Sequence, residues 1–179
     1  MNIKLICFEY IIYRLLDWYR ELRPLDSSYV SFTRLKILKL LFFVAAIREN
    51  KEMQDLLDIF NNFYAMQHGP VESDIYNAMV NSELKYYSFK SRSIEINGCI
   101  NENCFDTLDK TIRNRVDISI NLLRRQNQDI VTYTASQLVN LSHKWDSWQL
   151  AMHMAEVLGK GSEPMDINTI QSNRQYYSI

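Results

Sequence analysis

Three histidines, His68, His143 and His153, are the side chains best suited to move protons or hold a metal near neutral pH. A zinc site needs three or four ligands at a recognisable spacing. His143 and His153 stand ten residues apart across a helix break, and Cys99 and Cys104 supply two thiols without a second pair. No metal ligand set is assigned, and no cofactor is implied. Ser142, Asp146 and Ser147 flank His143 and place hydroxyls near a general base. The stretch has no nucleophile elbow, no glycine pair for an oxyanion hole and no designated orienting carboxylate. A hydrolase centred on His143 is thus the weakest reading, and no catalytic residue is assigned. His143 is expected to bond a carbonyl at a helix end and brace the turn. Gly159-x-Gly161 lacks the third glycine and the strand-to-helix setting of a phosphate loop.

Polyanion binding has some support. Lys85–Arg92 reads KYYSFKSR, in which aromatic rings and cations alternate as they do on single-strand nucleic-acid platforms, and Arg113, Arg115, Arg124 and Arg125 follow on a helix. Against it stands a net charge of −1, which provides no global field to hold nucleic acid. Lysines on a solvated edge strand also serve simply to prevent aggregation.

The elements that position these residues read as mainly α with a small β-hairpin, an α+β chain forming one compact helical domain over residues 1–179. A polar tail begins at about residue 172. Four glycines and three prolines among 179 residues favour long helices over a loop-rich β fold, with 47% hydrophobic and 23% charged residues. Three cysteines suit a reducing cytoplasm. Met1–Leu22 is too often interrupted by charge for a leader or a membrane span, and its apolar residues fall on one helical face. A second helix, capped by Ser31 or Thr33, runs to about Glu49, and from Ile37 to Ala46 it is apolar on nearly every face, interrupted by Lys39. Asn50 caps a third, with Met53, Leu56, Leu57, Phe60, Phe63 and Tyr64 as its stripe. That helix runs into His68-Gly69-Pro70, a stiff turn expected to set how two helices meet, since Gly69 tolerates positive φ and Pro70 fixes its own. Ser73-Asp74 starts a short fourth helix ending near Ser82. Lys85–Gly98 reads as the hairpin, ending in the turn signal Asn97-Gly98. Helices resume near Asp106, then after Thr134, then after Ser147 as a cap, and finally after Pro164-Met165-Asp166.

Three blocks in order carry a family resemblance: Leu35-Lys36, Lys39-Leu40-Leu41 and Phe43; then Gly69-Pro70-Val71 and Tyr76; then Leu141-Ser142-His143 and Trp148. They resemble the Panacea-domain family of phage-associated proteins, antitoxins and a SocA-like protease adaptor, over about Phe8 to Ile170. His68 stands where the family usually has Tyr, and Ser147 where it usually has Pro. The resemblance implies a non-catalytic, cytoplasmic bacterial or phage antitoxin that neutralises a cognate toxin, encoded by an adjacent gene, through direct binding. It points to His68, Gly69, Pro70, Tyr76, His143 and Trp148 as partner-binding or structural motif residues. A DNA-binding or regulatory phage-associated protein and a proteolytic adaptor stay open as alternatives, as does a homo-oligomer.

Overall fold

The computed structural model describes residues 2–26, 29, 31–90 and 93–178. Helix α1 spans Ile3–Leu22, capped by the Asn2 side chain, which accepts from the Lys4 N–H. It stops ahead of Pro24, as expected. Its burial is wider than one stripe, because Ile6 through Ile12 are all buried, Glu9 included. Helix α2, Arg34–Ala46, is capped by Thr33 and buries every residue from Lys36 to Ala46. It ends three residues earlier than the expected Glu49, where Ile47 turns extended at φ −67° and ψ 135°. This apolar rod packs against α4 (Lys110–Gln126) and α5 (Ala135–Ser142), while α1 packs on α4 and on α3 (Ser73–Val80).

The expected third helix does not form. Asn50 does accept from the Glu52 and Met53 N–H groups at 3.0 and 2.9 Å, as a cap would. No helix follows, because the chain is held by longer-range bonds. Leu56 donates its N–H to the Ala45 carbonyl at 3.1 Å, and buried Asp55 accepts from the Leu57 N–H and from Gln171. Leu56, Leu57 and Phe60 are fully buried by turns instead of along a helical face. Phe63–Met66 is then strand β1, paired antiparallel with β2, Gly69–Glu72, in the register Phe63↔Glu72 to Met66↔Gly69. Gln67-His68 form the turn, so the Gly-Pro segment joins two strands rather than two helices. The far edge of β1 takes β5, Glu163–Pro164, giving a three-stranded sheet in the order β2-β1-β5.

The hairpin expected over Lys85–Gly98 is present as β3, Tyr87–Lys90, and β4, Ser93–Ile96. Helix α6 spans Asp146–Val157. Its cap position is Trp145, not Ser147, whose hydroxyl is buried inside the first turn with no partner among the described residues. Helix α7, Ile167–Ser172, starts from Asp166 as expected. The polar segment beyond α7 lies along the helices. Buried Trp145 donates its indole N–H to the Tyr176 carbonyl, and Asn127 and Gln175 bond the Tyr177 and Ala46 carbonyls.

Candidate functional site

The β1–β2 hairpin is held from behind by the apolar helix α2. Gly69 sits at φ 89°, a left-handed conformation that suits glycine, and a Cβ there would collide with Ser142 Oγ and lie 3.2 Å from Lys39 Nζ. Lys39 is fully buried and donates to the Pro70 carbonyl. Burial pushes its amine down to about 7, since a charged ammonium loses hydration there without a carboxylate to replace it. Ser142, also fully buried, donates to the Val139 carbonyl at 2.8 Å, a bond within its own helix. Gly69, Pro70, Lys39 and Ser142 thus form one sealed contact between hairpin, α2 and α5.

The tip of the hairpin is clamped from the side. Trp148, in the first turn of α6, donates its indole N–H to the Met66 carbonyl at 3.0 Å. The His143 ring stacks on that indole, centroids 3.8 Å apart and planes 9° from parallel. Burial pushes the His143 imidazole below its ordinary range, and the Lys39 charge acts in the same direction against a hydrogen bond to the Gln67 backbone. His143 braces the hairpin through its stack on Trp148, and its Nε2 is buried with no hydrogen-bond partner among the described residues.

At the other end of β2, buried Glu72 accepts from the Ile75 N–H at 2.8 Å and caps α3. It also pairs with Lys4 of α1 at 2.7 Å. These bonds fix where α3 begins and hence where its exposed Tyr76 stands, 40% accessible.

Between the hairpin, the start of α2 and α3 lies a surface groove of about 530 Å³. Leu35 and Leu38 of α2, with Met66 and Val71 of the hairpin, give it an apolar floor. Arg34, exposed His68 and Tyr76 stand along its sides, and the loop after α6 closes it at Gly161-Ser162. Its size and apolar lining with a few polar groups are those of a recognition cleft.

Of the residues the sequence singled out, His68 and Tyr76 share this groove. Gly69 and Pro70 are buried behind it, and His143 and Trp148 brace its hairpin wall. His153 is exposed on α6 and does not line the groove. Among the described residues no group of three or more His, Cys, Asp or Glu side chains is placed to hold a metal. In α4, Arg113, Arg115, Arg124 and Arg125 each lie within ion-pair distance of a carboxylate. Tyr87 is buried and Tyr86 and Phe89 half-buried, while Arg92 lies outside the described residues. Sequence reasoning missed Arg34, Met66, Glu72 and the buried role of Lys39. Only Lys39 carried a signal, as the one charge within the apolar run Ile37–Ala46.

The fold and this clamped hairpin define a mainly α class with a small antiparallel sheet and a surface groove beside it. The family described as "Antitoxin SocA-like, Panacea domain" matches residues 37–149, more than half of the chain, and the protein belongs to it. That span holds every hairpin residue and the His143–Trp148 clamp, and is shorter than the stretch over which the motifs resemble the family. No curated protein and no solved structure matches the chain. No described helix is long and apolar enough to cross a membrane.

Proposed function

We propose that this antitoxin-like protein works in the cytoplasm by neutralising a cognate toxin through direct, stoichiometric binding, without catalysis. The toxin is the product of an adjacent gene, and the groove beside the hairpin is its contact surface. The observation that carries this reading is the position of His68 and Tyr76. Both motif positions present exposed side chains to one apolar cleft, and the motif residues behind them are spent on holding that cleft's wall. Rigid elements that position a few exposed anchors suit recognition, because little ordering entropy is lost on binding. A folded surface seated over a toxin's active site excludes its substrate, so no bond needs to be made or broken.

Co-expression with the adjacent toxin gene tests the reading. Growth should be rescued, and the two proteins should co-purify. Tyr76→Ala and His68→Ala should keep the melting temperature within a degree or two. Tyr76→Ala should weaken binding by about tenfold or more, the usual scale for a buried aromatic anchor. Full rescue and unchanged affinity in both variants would move the contact elsewhere. A partner whose level falls only in cells with an active protease would make the protein a proteolytic adaptor instead.

A further inference from the structure

We infer that the groove takes a short segment of the partner protein that sets apolar side chains on its floor and an aspartate or glutamate side chain against Arg34. The inference rests on the binding role proposed above and adds the chemistry of what is bound.

Arg34 differs from most of the other described arginines; exposed Arg23 and Arg174 also stand without an ion pair among the described residues, but Arg34 is half-buried. Arg14, Arg20, Arg48, Arg113, Arg115 and Arg124 all have a carboxylate within ion-pair distance. Arg34 has none among the described residues. Its guanidinium makes one long bond, from Nη2 to the Phe89 carbonyl at 3.4 Å, and its Nε is buried without a partner. A half-buried guanidinium in that state has donors to spare beside a low-dielectric floor, where a carboxylate would bond more strongly than in water. The other ionisable side chains among the described residues that line the groove are His68 and Tyr76, so no acidic residue among them competes for Arg34 or repels an incoming anion. Arg34 is also the first residue of α2, whose N-terminus adds partial positive charge on the same side. Leu35, Leu38, Met66 and Val71 meanwhile offer nothing to a polar ligand. Apolar side chains with one acidic neighbour satisfy both parts of the groove; a nucleic acid would pair with Arg34 but leave the apolar floor to its charged backbone, and a basic segment would be repelled by Arg34.

The probe is a fluorescein-labelled decapeptide, amidated at its C-terminus, with two leucines around one aspartate; matched peptides carry asparagine or lysine in place of the aspartate. Fluorescence polarisation against the full chain should rank aspartate above asparagine above lysine, with about tenfold between the first two, as one charge-assisted bond provides. Arg34→Glu should reverse the order of the aspartate and lysine peptides, and Tyr76→Ala should weaken all three. Arg34→Gln, isosteric enough to keep the fold, should abolish the discrimination if the charge reversal unfolds the protein. Equal binding of the three peptides, or no binding, overturns the inference. So does a dimer in sedimentation that Tyr76→Ala dissolves, because a second copy would then cover the groove. Toxin rescue that persists in Arg34→Glu, with no peptide preference, leaves the antitoxin role standing and removes only this inference. Charge-selected peptide binding without any captured toxin does the reverse.

Discussion

The molecule contains two antiparallel hairpins built on different terms. The β1–β2 hairpin is embedded: all four residues of β2 are buried, and α2, α5 and α6 each bond or pack on it. The β3–β4 hairpin lies nearer the surface, with one buried residue in β4, and is tied down at its ends. Glu9 of α1 accepts from the Tyr86 N–H at 2.6 Å, and Ile94 donates to the Phe32 carbonyl at 3.0 Å. The first hairpin is thus specified by its neighbours, and the second largely by its own strands. A glycine at positive φ accompanies each, Gly69 at 89° and Gly98 at 87°, but a Cβ at Gly98 would meet nothing within 4 Å.

That pair offers the largest test. Gly69→Ala and Gly98→Ala share the backbone penalty of about 1–2 kcal/mol for a left-handed residue. Only Gly69→Ala adds a collision with Ser142 in a sealed contact, so its loss in urea denaturation should exceed about 3 kcal/mol. Equal losses would show that the embedded hairpin is less tightly held than its contacts indicate.

Trp148→Phe should come next. It keeps a ring against His143 but leaves the Met66 carbonyl without its indole donor, costing about 1–2 kcal/mol of thermal stability. An unchanged melting temperature would remove the clamp from the comparison.

Lys39→Met sharpens the comparison through pH. The folded amine titrates near 7 against an ordinary 10.5. Between those values the unfolded chain binds the extra proton, so this group makes stability rise with pH from about 7 to 10.5. Below that window the full cost of burying the charge is present. Lys36, Ser142 and His143 also border the lysine or its helix face, so the informative quantity is the difference between wild type and variant. Relative to wild type, Lys39→Met should gain most at pH 6 and least at pH 10, a change on the order of a few kcal/mol. A difference that stays flat with pH would place a charged, compensated lysine against Pro70. The smallest effect belongs to Tyr76→Ala, within about 0.5 kcal/mol for an exposed side chain.

The same contrast explains what was legible in the sequence. The β3–β4 strands were readable because Tyr87, Phe89, Ile94 and Ile96 alternate with polar residues, and alternation is a local signal. Capping residues were equally local: Thr33, Thr134 and Asp166 each accept the expected backbone N–H. Met53 to Tyr64 carries helical spacing too, but Leu56 bonds Ala45 and Asp55 bonds Gln171, 116 residues away, and no window of sequence contains those partners. The strand β1 hides in that spacing because Phe63, Tyr64, Ala65 and Met66 are all apolar or aromatic, so no alternation with polar residues marks it. Among the candidate residues, the positive φ of Gly69 was legible from Gly69-Pro70, but the turn beside it joins two strands where two helices were expected, and the groove required α2, the hairpin and α3 to be assembled.

Lys39 also equips the hairpin with an internal clock. A fully buried amine cannot meet an acylating reagent while Pro70 lies over it, so its modification must wait for the sheet to lift from α2. Surface lysines such as Lys51 react at once and set the zero of time. The lag before Lys39 is labelled, read by mass spectrometry, then times the opening of that one contact. Lengthening of the lag when a partner is added would report how strongly binding and hairpin closure are linked, without a mutation anywhere in the chain.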